Sequence, residues 1–157
     1  MRRYISLSGN YWKTLNGLWA VLKESDFRPE EVVLITEKKS MNKAKRIQRD
    51  MKILMDSYDL PEEVGIKKVG NSDYNGTSKI VTGLIKDNLE GDNKNALDLT
   101  GGSKLMVAAA LFTPDTGKID HIFFLDFDED DGIELPYPDI PHGSVELKDL
   151  VEERRRV

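Results

Sequence analysis

Thr100-Gly101-Gly102-Ser103-Lys104 puts two hydroxyls, two glycines and an ammonium group into five consecutive residues. That combination suits a phosphate. The free N–H groups and positive dipole end of a helix N-terminus attract anions. Glycines let the anion approach the main chain closely, and Lys104 adds a full positive charge. The flanking residues supply the geometry. Ala96 to Leu99 reads as a buried strand, and Leu105 to Phe112 as a buried helix that is apolar on all sides. The plainer reading is a tight strand-to-helix turn and nothing more, which would leave Thr100, Ser103 and Lys104 as idle polar residues.

The spacing sets aside two common nucleotide sites. A P-loop needs Gly-x-x-x-x-Gly-Lys followed by Ser or Thr, whereas here Ser103 separates Gly102 from Lys104 and Leu105 follows. A dinucleotide fingerprint needs Gly-x-Gly-x-x-Gly after the first strand, where this chain has only Gly9. NTPase and dehydrogenase readings, and a Rossmann-like mononucleotide enzyme with them, are weak.

The elements that must hold such a site alternate along the chain. Tyr4 to Leu7 reads as a strand, followed by a helix with Trp12, Leu15, Leu18, Trp19 and Leu22 on one face. Val32 to Thr36 is a β-branched apolar run, as expected of a central parallel strand. A helix carrying Met41, Ala44, Ile47, Met51, Leu54, Met55 and Tyr58 follows and stops before Pro61. Val64 to Val69 is a weaker strand, and Asn71 to Gly76 a polar turn. Ile80, Val81, Leu84, Ile85 and Leu89 predict a third helix, closed by Gly91. Ile119 to Leu125 is a fifth strand. The series predicts an α/β fold with a parallel sheet flanked by helices. We expect residues 1–130 to form this core. Residues 131–157 form an extension, with short strands at Ile133–Pro138 and Gly143–Leu147 in a hairpin-like arrangement, then a polar helical turn.

In an open parallel sheet, ligands sit beyond the carboxyl ends of the strands. The residues just after each predicted strand are Ser8, Gly9 and Asn10; Thr36, Glu37 and Lys38; Gly70 and Asn71; Thr100 to Lys104; and Asp126. Four of these five groups suit phosphate or ribose.

Composition bounds the partners. A chain of 157 residues supports one domain with a real core. It has no cysteine, which removes disulfides, thiolate zinc sites and cysteine nucleophiles and fits a cytoplasmic protein. No apolar stretch approaches the roughly 20 residues of a membrane span. The formal net charge of -5 argues against long nucleic acid, where phosphate neutralisation dominates affinity. Basic residues nevertheless crowd between Lys38 and Lys52, and acidic ones from Asp126 to Asp131.

Other constellations have two readings. Tyr11 and Trp12 can stack on a base, yet Trp12 also lies on the apolar face of its helix. The basic face from Lys43 to Lys52 reads as solvated, with Lys38 or Lys39 nearer the site. The acidic run can hold a divalent ion but lacks the EF-hand pattern, and a solvated loop fits it better. His121 sits inside a strand and His142 between Pro141 and Gly143, with no serine partner for a triad.

Thr100-Gly101-Gly102-Ser103-Lys104-Leu105-Met106 resembles the Thr-Gly-Gly-Thr-Lys-x-Met signature of CARF domains, the CRISPR-associated Rossmann folds of type III CRISPR systems. Ser6-Leu7-Ser8-Gly9-Asn10, Thr36-Glu37-Lys38 and the closing Val145 to Leu150 are similar as well. The similarity covers nearly the whole chain and departs from the signature at Ser103, which keeps the hydroxyl. It implies a Rossmann-like fold and a homodimer that binds cyclic oligoadenylate, cyclic tetra-adenylate above all, in antiviral signalling. It also implies an effector domain or separate effector protein; no cofactor or metal is expected, and composition argues against a membrane or long nucleic acid.

The ligand residues it implies are Ser8, Gly9, Asn10, Trp12, Thr36, Glu37, Lys38, Asn71 and Thr100 to Lys104. Some members are ring nucleases, in which the ribose 2′-OH attacks the adjacent phosphorus without metal. In that case Lys104 is the charge-stabilising group, and Ser8 or Asn10 positions the ring. The alternative is a pure sensor. A two-fold dimer presents each loop twice about one axis, and a ring of four or six nucleotides contains such an axis.

Overall fold

The computed structural model describes residues 1–128 and 134–156. Six strands form one sheet: β1 (Arg2–Ser8), β2 (Glu31–Glu37), β3 (Val64–Val69), β4 (Lys94–Asp98), β5 (His121–Phe127) and β6 (Val145–Asp149). Their order across the sheet is β3-β2-β1-β4-β5-β6. The first five are parallel, and β6 runs antiparallel to β5. Helices α1 (Tyr11–Glu24), α2 (Met41–Ser57), α3 (Tyr74–Lys86) and α4 (Lys104–Leu111) follow the first four strands, and α5 (Leu150–Arg155) follows the sixth. The fold is α/β and Rossmann-like, as the strand and helix series predicts.

The alternation of side chains along each strand divides the core in two. Tyr4, Val32, Leu34 and Ala96 face α1 and α2, meeting Leu18, Leu22, Ile47 and Met51. Ile5, Leu7, Ile35 and Leu97 face the other way, meeting Val81 and Ile85 of α3 and Met106 and Ala110 of α4. β1 and β2 are buried along almost their whole length; in β2 this accompanies the apolar run Val32 to Ile35, whereas β1 buries Arg3, Ser6 and Ser8 beside Tyr4, Ile5 and Leu7. β3 is an edge strand whose Lys67 and Lys68 are exposed. After β1 the chain moves outward through β2 and β3, then returns to place β4 on the other side of β1. The C-terminal ends of β1 and β4 therefore flank the switch in strand order.

Three sequence expectations change. Helix α4 is not buried on all sides. It packs beside α3 through Met106, Ala109 and Ala110, while Leu105 is 37% and Phe112 just beyond it 78% exposed. Helix α3 ends at Lys86 rather than at Gly91, because Asn88 turns inward. Its amide donates to the carbonyl of Met1 at 3.1 Å and to Asn95 Oδ1 at 3.1 Å, which holds the chain off the helical path. In the tail, the first expected strand is replaced by a 3-10 turn at Tyr137–Asp139, and β6 joins the main sheet through β5 instead of closing a hairpin. Ile133 and the acidic residues Glu129 to Asp131 lie outside the described residues.

Candidate functional site

Two loops meet at the switch point, and glycine decides how closely. A Cβ on Gly9 would stand 2.6 Å from the carbonyl oxygen of Gly101. The amide of Asn10 donates to that same oxygen at 3.3 Å. On the other side, a Cβ on Gly101 would strike the Thr14 hydroxyl and come within 3.0 Å of the Leu7 carbonyl. One on Gly102 would stand 2.7 Å from Leu7 Cβ. The β1–α1 and β4–α4 turns are thus packed backbone against backbone, and only glycine leaves room for that. Thr14 completes the joint. Its hydroxyl donates to the Asn10 carbonyl at 2.6 Å and lies 3.3 Å from the Gly9 amide.

Helix N-termini rise from both loops. Asn10 caps α1, its Oδ1 accepting from the Lys13 amide at 3.0 Å, so its NH2 group is left to donate elsewhere. Ser103 caps α4, its Oγ accepting from the Met106 amide at 3.2 Å. The Lys104 and Leu105 amides meet no acceptor among the described residues, as expected of the first turn of a helix. Lys104 is exposed and pairs with no carboxylate among the described residues. The loop therefore offers amide donors, a dipole end and an unneutralised ammonium in one place, which is an anion site in both charge and hydrogen bonding.

The bend that aims this loop is set from below. Asp98, the last residue of β4, is 1% exposed. Its carboxylate accepts from the Thr100 amide at 2.9 Å, from the Thr100 hydroxyl at 2.6 Å, and from the buried Tyr4 hydroxyl. Thr100 Oγ1 in turn accepts from the Leu125 amide at 3.0 Å. Burial holds the Asp98 carboxyl above its ordinary range, against the pull of the Thr100 and Tyr4 hydrogen bonds. Burial, then the charge and hydrogen bond of Asp98, push the Tyr4 phenol well up.

The remaining candidate residues divide by place. Ser8 and Thr36 are register partners at the ends of β1 and β2, both buried, and Thr36 Oγ1 has no partner among the described residues. Glu37 and Asn71 tie loops together. Glu37 Oε2 accepts from the Ser72 amide at 2.6 Å, and Asn71 Oδ1 accepts from the Lys39 amide at 2.8 Å. Lys38 is exposed at the start of a 3-10 turn, Lys38–Ser40, on the same end of the sheet. Trp12 goes elsewhere: it turns into a groove between α1 and α2, lined with Leu15, Trp19 and Ile53 and by no residue of the glycine loops. Asp126 pairs with Lys148 at 3.1 Å. Thr100 itself points inward, so it builds the loop rather than lining it.

Sequence reasoning missed Asp98, Thr14 and Gly17, whose position leaves no room for a Cβ above the Asp98 carboxylate. A carboxylate inside the apolar run Ala96 to Leu99 was the available signal. Thr14 and Gly17 carried none.

No protein-family model and no curated protein sequence matches the chain. Solved structures do. Can2 from Sulfobacillus thermosulfidooxidans, in complex with cyclic tetra-adenylate, aligns with 80% of this chain at 20% identity and a TM-score of 0.59. Csm6 from Enterococcus italicus, bound to cyclic hexa-2′-fluoro-hexa-dAMP, aligns with 99% of it at 16% identity and a TM-score of 0.60. The chain shares the Rossmann-like α/β fold of the aligned parts of these two structures. It spans 32% of the Can2 chain and 42% of the Csm6 chain. No helix among the described residues is long and apolar enough to cross a membrane.

Proposed function

We propose that this chain is a receptor for cyclic oligoadenylate, binding cyclic tetra-adenylate across a two-fold homodimer at the loops that carry Gly9 and Gly101. The observation that carries the reading is the backbone contact between those two loops, with the capped α4 N-terminus and Lys104 open beside it. Lys104 and the α4 amides take a phosphate, and the Asn10 NH2 and Lys38 reach its neighbours. The exposed apolar side of α4, with Leu105 and Phe112, supports the dimer. A second copy on that face brings two glycine loops around one axis, matching the two-fold symmetry of a four-membered ring. The two solved neighbours, each bound to a cyclic adenine oligonucleotide, agree with this ligand class.

A second reading adds cleavage of the ring. The position of Lys104 favours it, because an ammonium next to unbonded amides can stabilise charge on a phosphoryl oxygen as it develops. The ribose 2′-OH loses its proton and bonds to the adjacent phosphorus. The bond from phosphorus to the 5′ oxygen breaks, and that oxygen takes a proton. The product carries a 2′,3′-cyclic phosphate and a 5′-OH. Holding the attack in line is the protein's task, and this reading gives that role to the Asn10 amide.

Incubation with labelled cyclic tetra-adenylate in EDTA separates these readings. Retention with linear product supports cleavage, retention without product over hours leaves a sensor that acts through an effector, and no retention of any cyclic oligoadenylate overturns the proposal.

A further inference from the structure

We propose that the groove between α1 and α2 docks an acidic, amphipathic segment of a separate protein, which seats apolar side chains between Trp12 and Ile53. This inference stands independently of the ligand at the glycine loops. The groove encloses about 320 Å³. Its floor is the buried Leu15 and Leu54, its walls include Trp12 and Trp19, and Ile53 on its rim is 63% exposed. Side chains this apolar, left in water, are unfavourable at roughly 25 cal/mol per Å² of accessible area. An occupant that covers them gains that energy.

Tyr11, Asp50 and Ser57, three polar residues of the groove, are already engaged with the chain's own groups. Asp50 accepts from the Tyr11 hydroxyl and, at 3.3 Å, from Arg49 Nε. Ser57 Oγ donates to the Leu54 carbonyl at 2.6 Å. Most of the lining is apolar, from Trp12, Leu15, Trp19, Ile53 and Leu54, so an apolar side chain is the better fit. Burial and Asp50 push the Tyr11 phenol up to about 12, so it stays a neutral donor in this arrangement.

The charge beside the groove sets the sign of the partner. Helix α2 carries Lys43, Lys45, Arg46, Arg49 and Lys52 against Asp50 and Asp56. Arg46, Arg49 and Ile53 follow one another at helical spacings of three and four, so the cations continue the apolar stripe along one face. The Arg46 guanidinium lies 4.9 Å over the Tyr11 ring, which holds it beside the groove. An apolar trough with a basic border fits a helix that has leucine or phenylalanine on one face and glutamate or aspartate on its flanks. The chain's own last helix is placed elsewhere: Val151 of α5 packs into the core on the opposite face of the sheet.

The test uses a fluorescein-labelled synthetic helix with leucines at i, i+3, i+4 and i+7 and glutamates elsewhere, read by anisotropy and by the emission of Trp12 and Trp19. Saturable binding is expected, with a shift of tryptophan emission and weakening by added salt. Ile53→Glu and Arg49→Glu should each weaken it about tenfold or more. Ile53→Ala, milder at an exposed position, should weaken it in the same direction. Equal binding of the peptide with lysine in place of glutamate overturns the proposal, as does no saturable binding of the acidic form. Stronger binding to a single-stranded oligonucleotide or to anionic vesicles also overturns it. So does loss of self-association in Ile53→Glu, which would assign the groove to a second copy of this chain.

Discussion

Gly17 of α1 lies directly over the carboxylate of Asp98, with no space between them for a methyl group. Asp98 is the residue on which Thr100 and Tyr4 converge, so the helix and the turn of the glycine loop are held by one buried group. Gly17→Ala should cost about 1–3 kcal/mol of stability through overpacking. Asp98→Ala should cost a similar amount or more, about 1–3 kcal/mol for each buried donor left without an acceptor. Urea denaturation followed by far-UV circular dichroism measures both, and an unchanged midpoint in either variant would show that this junction does not carry the fold.

Lys104 is exposed and belongs to no ion pair among the described residues, so Lys104→Ala should leave the urea midpoint within about 0.5 kcal/mol of wild type. Cyclic tetra-adenylate retention should fall about tenfold or more, in line with a lost charge-assisted hydrogen bond. Any ring turnover should disappear. Retention assays on purified protein test this, and wild-type affinity in the variant would displace the site from the α4 N-terminus.

Phe112→Glu addresses the pairing of copies. The side chain is almost free in one chain, so the fold should survive, whereas a charge there disfavours an apolar contact. Sedimentation velocity should find wild type as a dimer and the variant as a monomer at micromolar concentration. Retention of cyclic tetra-adenylate should drop with it. A variant that remains dimeric removes α4 from the interface.

Acid should weaken the fold through Asp149. Burial raises its pKa, but hydrogen bonds from His121 Nδ1 at 2.8 Å and from the Ile122 and Val151 amides outweigh this and hold it below the ordinary range. With the folded pKa below the unfolded one, its stabilisation is complete above about pH 4 and is lost as pH falls through the folded value. Asp98 has the opposite sign, because its raised pKa disfavours the folded state only as pH rises. The urea midpoint should therefore decline below about pH 4, and Asp149→Asn should flatten that decline. An acid limb of equal depth in the variant would assign the loss to other carboxylates.

The elements were legible because hydrophobic period and chain punctuation agree. Strand β2 carries the apolar run Val32 to Ile35, Tyr4 to Leu7 and Ala96 to Leu99 are short mostly apolar stretches, α1 and α2 have clear stripes, and Pro61 marks the end of a helix. Gly101 and Gly102 were legible as a place where the main chain can be approached closely, and the sequence assigned that approach to a phosphate. The close neighbours of these two glycines are instead Thr14 and Leu7, with Gly9 against the Gly101 carbonyl, brought together by topology alone. Thr100 looked like a ligand residue because a hydroxyl after a strand has two uses, and only the buried Asp98 shows that this one faces inward. Gly91 misled for a similar reason. A glycine after a helical pattern signals a cap, yet Asn88 leaves the helix earlier by bonding to β4 and its neighbour. The exposed side of α4 was invisible because an all-apolar octapeptide gives no phase.

Lysines on β3 decide how this molecule can assemble. An edge strand offers unpaired N–H and C=O groups to any neighbouring chain. Here Lys67 and Lys68 stand on that edge, and at the far edge Glu146 and Lys148 of β6 do the same. Charge along both margins discourages growth of the sheet from copy to copy, the route to open-ended fibres. The proposed pairing through α4 uses a helical surface instead, where contact between two copies can close on itself and stop.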